Sequence, residues 1–523
     1  MMAINASHLI LSDIRKIGYK LSDDQKITPI DIMQLPLQAL LEILENGRKA
    51  LPPEAKKQRI TGNSNDEGNI ENLSSHAIAY SYNICTQDDS SLTISKNWKM
   101  PLKMCVDSRS LVINKGDDNV IISGSQGGDL ACICSSGKLL SRTNVTGKIE
   151  GDLNFLAASL QTDMDPIIFV PTYVSSHDQA GTSTSGNEGK PGTGNIHALK
   201  LSKSNSLIPI WTYNTNGDIK SKPMIFTYPN SYKTNTHRLL TASYDGSLSY
   251  LDAITGELLQ KKDGLGGAIH ADPIVLTHES PNTDNTDATV SAIVASCTWK
   301  GKVTCLTLTQ TSMEIKWEVD LWTPIYASPY VNPSRCKKDT PSVILCGIDG
   351  SVRSLNCNNG EEIWKTETGT KPIFTKCCRI DPSSEANTGQ IILGSNDGKL
   401  RCIHESNGVI QWTINVHAPI LSSPICSMDH IICATTAGSV LVFDKVPLRI
   451  LVSTDIDGTS TSDRKQPGKD KTKYISAQAN VPTEALTSVR LEGEIFSSPV
   501  AKGNDIYIGC RDSCLYKLTL DNK

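Results

Sequence analysis

Sixteen cysteines and ten histidines give this 523-residue chain its widest chemical reach. Adjacent Cys377-Cys378 invites a redox or cofactor reading, and Cys132-x-Cys134 and Cys510-x-x-x-Cys514 invite a metal reading. Neither metal pair has the paired C-x-x-C spacing that zinc sites use, and strand alternation places each pair on one face, so packing accounts for them. His404 beside Glu405, and His270 two residues before Asp272, read as polar residues at strand ends. No phosphate-binding G-x-x-x-x-G-K-[ST], no G-x-S-x-G elbow and no H-E-x-x-H occurs. No catalytic, cofactor-binding or metal-ligating residue is therefore assigned, and no cofactor is expected.

Charge and hydropathy narrow the classes further. A net charge of −4 gives no electrostatic case for a nucleic-acid partner. There is no apolar run of the roughly 18 residues a membrane helix needs, and no basic-then-apolar secretory leader. Cys346, Cys402, Cys433 and Cys510 fall inside strand-like segments, where buried reduced thiols fit better than a disulfide framework. The expectation is a cytoplasmic protein with no membrane partner, in which the sequons at Asn72 and Asn144 carry no meaning.

The elements that must position any site are strands. Ile391 to Trp412 runs as an apolar strand, a tight Asn-Asp-Gly turn, an alternating strand, and a Gly-led turn into a strand ending on Trp. One such hairpin cannot bury a face of its own, and the chain repeats it. An apolar residue, a polar one, a small one, a variable one and often Pro recur from Val106, Ile149, Ile219, Ile269, Ile325, Ile373, Ile420 and Ile495. The interval is roughly 50 residues, a span that marks a repeat architecture. Asp245-Gly246, Asp349-Gly350 and Asp397-Gly398 are each answered at one fixed spacing by Gly256, Gly360 and Gly408. Trp98, Trp211, Trp317, Trp364 and Trp412 mark the last strands. The eighth repeat lacks its Trp strand, while Trp98 has no repeat in front of it. The spacing predicts an all-β, eight-bladed propeller (residues 78–523) whose N-terminal strand completes the last blade, or seven blades if residues 149–211 form none. Low-apolar loops interrupt it near 175–194 and 458–473. Residues 1–47 carry helical spacing in Ser7 to Lys16 and Leu35 to Leu44, and 48–77 read as a linker.

The runs Asp252 to Glu257, Gly360 to Trp364 and Gly408 to Trp412 resemble the tryptophan-docking repeat of pyrroloquinoline-quinone (PQQ) enzymes, in which each blade's Trp packs onto its neighbour. That resemblance implies a PQQ-like propeller. It also raises a quinone-dependent dehydrogenase, with Cys377-Cys378 as a vicinal disulfide, but no calcium cluster or catalytic Asp can be assigned. The closing EGEIFSSPV and IYIGCRDSCLYKL (492–500 and 506–518) are similar to the last repeat of the β-alanine-activating-enzyme family. This family is also called aminoadipate-semialdehyde-dehydrogenase-like, an acyl-CoA-synthetase family with plant acyl-activating members. Its order is adenylation domain, phosphopantetheine carrier domain, propeller. Gly18 to Ser22 resembles the Gly-x-x-Leu-Ser turn after the helix that follows a carrier's Gly-Gly-Asp-Ser, and 1–47 would then be a carrier remnant. The serine that would bear phosphopantetheine is missing from Met1-Met2-Ala3-Ile4-Asn5, and Ser7 sits too close to Gly18 to replace it. The resemblance implies a non-catalytic propeller, in a fragment or a shorter isoform, of an ATP-dependent acid-activating ligase. Its face would serve a partner protein or a carrier-bound acyl or aminoacyl acceptor. The alternative expectation is a free-standing interaction propeller.

Overall fold

A computed structural model of the chain describes residues 80–83, 92–115, 118–157, 165–174, 192–228, 236–278, 289–332, 341–380, 389–445 and 485–522. The expected carrier remnant, the linker at 48–77 and most of both low-apolar loops lie outside these residues. Among the described residues every regular element is a strand.

Eight sheets, each built on four antiparallel strands a to d, make the eight blades of a propeller. Blades 1 to 7 run over residues 111–144, 154–215, 224–262, 274–320, 330–367, 378–415 and 425–490. The weak repeat at 149–211 is a full blade, so the count is eight. Blade 8 takes its a to c strands from Val500–Lys502, Asp505–Cys510 and Cys514–Asn522. Its d strand is Leu92–Pro101 from the other end of the propeller, antiparallel to Cys514–Asn522 with Trp98 opposite Lys517. The joint is sealed where Leu102 N–H donates to Ser513 O (2.8 Å) and Val106 N–H to Cys510 O (3.3 Å). One strand was not foreseen: Tyr80–Asn83 lies parallel to Ile410–Asn415 as a fifth strand of blade 6.

Burial follows position within the blade. The b and c strands are covered on both faces, as Asp118–Gly124 and Asp129–Cys134 show, and so read as continuous apolar runs. The d strands, on the rim, are mostly exposed, as in Met313–Asp320, where only Met313 and Trp317 are buried. The cores lie between blades: one unites Ile293, Cys305 and Trp317 of blade 4 with Val343, Leu345 and Leu355 of blade 5. Burying each such aliphatic side chain contributes roughly 1.5–3 kcal/mol.

Two repeated devices hold neighbours together. A bulge between the c and d strands, as at Cys402/Ile403 and Ser354/Leu355, turns the Trp toward the next blade. There its indole N–H donates to the turn after the next c strand. Trp98 reaches Ser135 O (3.1 Å), Trp211 reaches Ile254 O (3.0 Å), Trp317 reaches Cys357 O (3.0 Å) and Trp364 reaches Glu405 O (3.1 Å). The ring lies flat on a glycine of that turn, Gly137, Gly256, Gly360 and Gly408 in turn. Each glycine has positive φ, and a Cβ at Gly256 would stand 2.5 Å from Trp211 Cδ2. Glycine is needed for both reasons. The second device pins the apolar residue that starts each a-strand approach. Ile149, Ile269, Ile325, Ile373 and Ile420 donate their N–H to Ser125, Ser243, Ser296, Gly347 and Ser395 in the preceding blade's b–c turn (3.1–3.3 Å).

Candidate ligand site on the propeller axis

That pinned residue sets the wall of the axis. Val106, Ile149, Ile219, Ile269, Ile325, Ile373, Ile420 and Ile495 are all sealed between blades. The chain bends at the second residue after each, which is buried against backbone, and leaves the first and third half-buried on the axial side. The second must be small: a Cβ on Gly151 would stand 2.7 Å from Lys220 O, and Ser221 Oγ donates to Ala242 O at 3.1 Å.

The first-position level is divided into two arcs. Blades 1 to 4 contribute Asp107, Glu150, Lys220 and His270, and blades 5 to 8 contribute Tyr326, Phe374, Leu421 and Phe496. Lys220 Nζ lies 3.4 Å from Glu150 Oε2 and 4.1 Å from the centre of the Tyr173 ring. Burial pushes the Glu150 carboxyl up, but Lys220, His270 and the Tyr173 hydroxyl outweigh it and hold the group below its ordinary value. Burial lowers the His270 imidazole, whose Nδ1–H donates to Tyr326 O at 3.2 Å. From His270 the aromatics continue, with Tyr326 at 5.3 Å and Phe374 at 5.9 Å beyond it, centre to centre. Arg511 joins the arcs by lying 3.6 Å above the Phe496 ring while donating to both Asp107 oxygens (3.1 and 2.9 Å).

The third-position level is a belt. Arg109 N–H donates to Asp152 Oδ1 (2.8 Å), Lys222 N–H to Asp272 Oδ1 (2.8 Å) and Asp272 N–H to Ser328 Oγ (3.1 Å). On the other side Lys376 N–H donates to Ser423 Oγ (2.9 Å) and Ser423 N–H to Ser498 Oγ (3.0 Å). Each bond crosses to the next blade. Burial lowers the Lys222 ammonium, opposed by Asp152 and Asp272 and aided by Arg109 and Lys376, which puts all five charges within reach of one another. The Asp152 carboxyl is raised by burial and by the Asp272 charge.

His270 and Asp272 are therefore axial wall residues, not mere strand ends. His404 ends the strand Lys399–His404, half-buried and beside Ser406 Oγ (3.1 Å), whereas Glu405 is buried and paired with Arg379 (2.9 Å). Cys377 and Cys378 face different neighbours: their sulfurs lie 3.6 Å from Cys346 Sγ and 3.3 Å from Cys426 Sγ. Cys510 and Cys514 face each other across the b–c turn of blade 8, and burial pushes the Cys510 thiol up to about 12. Cys132 is buried, and Cys134 lies 2.9 Å from Ser136 Oγ. These cysteines, with Cys402 and Cys433, are free thiols, and among the described residues no group of three or more His, Cys, Asp or Glu is placed to hold a metal. No helix among them is long and apolar enough to cross a membrane. Asp397 serves its turn by accepting from Lys399 N–H (3.1 Å) and pairs with Arg401. The two remaining tryptophans, Trp299 and Trp322, meet in the open with ring centres 5.1 Å apart and planes tilted by 47°, both more than 60% exposed.

Comparison with known proteins fits this architecture. The solved structures of BamB from Moraxella catarrhalis (TM-score 0.51, 12% identity, 82% of this chain and 97% of that one) and of Saccharomyces cerevisiae Sqt1 (0.54, 10%, 84% and 100%) share the fold. The β-alanine-activating enzyme of Drosophila melanogaster is 24% identical over 308 residues, 53% of this chain and 28% of the relative. That of Danio rerio is 25% identical over 142 residues, 27% of this chain and 10% of the relative. The chain thus spans a minor part of the curated relatives it matches. Residues 192–520 match the family model described as the β-propeller of β-alanine-activating enzyme. On that match, covering most of the eight blades, the chain belongs to the β-alanine-activating-enzyme propeller family.

Proposed function

We propose that this chain is the non-catalytic propeller of an acid-activating, carrier-containing protein, and that it holds the acyl or aminoacyl acceptor, or the loaded carrier, at one face of the axis. The family match over residues 192–520 carries the reading. The axis supports it, because a polar arc facing an apolar one suits a surface that must recognise rather than react. Adenylation belongs to other parts of such a protein, and the free thiols suit the reducing cytoplasm. The test uses the full chain, immobilised, against the carrier segment of the Drosophila relative with and without β-alanine loaded. The expected result is tighter retention of the loaded carrier and no pyrophosphate release from ATP and β-alanine by the chain itself. Equal retention of both carriers, or pyrophosphate release, would overturn the reading.

A second reading, a free-standing interaction propeller, is favoured by the Trp299–Trp322 pair. Exposed aromatics are the residues that anchor protein interfaces. A W299A/W322A double variant that abolishes capture of a partner while leaving carrier retention intact would support this second role.

A further inference from the structure

The belt at the third-position level is not charge-balanced. Arg109, Asp152, Lys222 and Asp272 alternate in sign around blades 1 to 4 and compensate one another. Lys376 of blade 6 is the odd fifth charge of the belt, within reach of Lys222, and among the described residues its ammonium has no ion pair or hydrogen bond. It is flanked by Ser328 of blade 5 and Ser423 of blade 7, with Ser498 of blade 8 beyond. Each of these hydroxyl oxygens already accepts a backbone N–H from the preceding blade (2.9–3.1 Å). A hydroxyl that has accepted still has its own proton to give, and none of the three has an acceptor within the described residues. The belt thus carries one cation more than it has carboxylates, beside a row of O–H donors without an acceptor among the described residues.

Two residues earlier on the same a-strand approaches, and likewise half-buried, stand Tyr326, Phe374, Leu421 and Phe496. Phe374 precedes Lys376 by two residues, and Leu421 precedes Ser423 by two. Arg511 already covers Phe496, which leaves Phe374 and Leu421 as the apolar wall beside the lysine.

We propose that this arc of the axis is a binding site for a small organic monocarboxylate with an apolar or aromatic body. The carboxylate would accept from the Lys376 ammonium and the Ser328 and Ser423 hydroxyls, and the body would lie against Phe374 and Leu421. One excess cation matches one anionic charge, and the apolar wall gives no purchase to a bare inorganic anion. The opposite arc repels the ligand little, since Asp152 and Asp272 are already answered by Lys222 and Arg109. The site stands on the axis geometry alone and does not depend on the carrier-binding reading. Loss of carrier retention with carboxylate binding intact, or the reverse, separates the two.

The test is calorimetric titration of the full chain with phenylacetate, its neutral analogue phenylacetamide, acetate and inorganic phosphate. Phenylacetate should bind at least about tenfold more tightly than the amide, which lacks the charge, or acetate, which lacks the body. Lys376→Met should weaken phenylacetate about tenfold without shifting the melting curve, because the ammonium supports nothing else. Lys376→Arg should retain most of the affinity, and Ser423→Ala should lose about threefold. Equal binding of amide and carboxylate, or full affinity in a normally folded K376M, would overturn the assignment. Phosphate binding more tightly than phenylacetate would overturn it in favour of a bare oxyanion site.

Discussion

The polar arc of blades 1 to 4 and the apolar arc of blades 5 to 8 are built on one backbone. Both use the same pinned aliphatic, the same small residue against the neighbour and the same rim Trp resting on a glycine. They differ only in the two columns that face the axis. In the polar arc those columns neutralise each other through Lys220–Glu150 and the Arg109–Asp152–Lys222–Asp272 belt. In the apolar arc they leave Lys376 as the odd cation of the belt, without an ion pair among the described residues. Stability is thus carried by the parts that repeat, and recognition by the parts that do not.

The first way to break this comparison is to attack the repeated part in both arcs. Gly256→Ala, under Trp211 of blade 2, and Gly408→Ala, under Trp364 of blade 5, should each cost about 2–4 kcal/mol, from positive φ and a displaced ring. Urea denaturation should give values within about 1 kcal/mol of each other. A cost in one arc only would show that the staples are not equivalent. A smaller effect is expected where the arcs differ. Lys222→Met leaves Asp152 and Asp272 facing each other without the cation between them, and should cost about 2 kcal/mol at pH 7. Part of this should return as pH falls toward the ordinary carboxylate range, because the raised Asp152 carboxyl takes up its proton in the folded chain before it would in the unfolded one. Lys376→Met, an equal change of side chain in the other arc, should cost less than about 0.5 kcal/mol by the same denaturation. Equal losses would make the belt a uniform structural ring.

These differences explain what was legible in the residues and what was not. The blades were, because Ile373, Gly408 and Trp412 belong to motifs that recur at fixed offsets, the aliphatic in every repeat and the Gly and Trp in several. Even ring closure by Trp98 could be read from a Trp without its repeat. The axis was not, because its two columns vary freely among blades, and periodicity registers only what stays the same. His270 and Asp272 already stood in the aligned motif beside Lys220, Glu150 and Tyr326. Comparing the variable columns down the eight copies would have exposed both arcs. The Tyr80–Asn83 strand and the Trp299–Trp322 pair carried no signal at all, since one adds to an edge by backbone pairing and the other joins residues from two different turns.

The smallest effect sharpens the boundary between the arcs, where His270 meets Tyr326. Burial lowers the His270 imidazole, so the folded chain holds it neutral while the unfolded chain protonates near its ordinary value of about 6.5. Folded chain then binds fewer protons than unfolded chain between those two values, so stability falls as pH drops from about 6.5 toward the lower folded value. Above pH 7 the group contributes no such slope. Glu150, held low, acts in a separate window below the ordinary carboxylate range, where its stabilisation is lost as pH falls further. His270→Phe keeps an aromatic ring beside Tyr326 and Tyr244 but cannot titrate. Urea midpoints at pH 7 and pH 5.5 should therefore show the variant losing less on acidification than the parent, by on the order of 1 kcal/mol. A background loss remains in both, because His197, also lowered by burial, is untouched. An unchanged pH slope in the variant would mean that water reaches His270 freely, and that the polar arc is an open wall rather than a packed, self-compensating one.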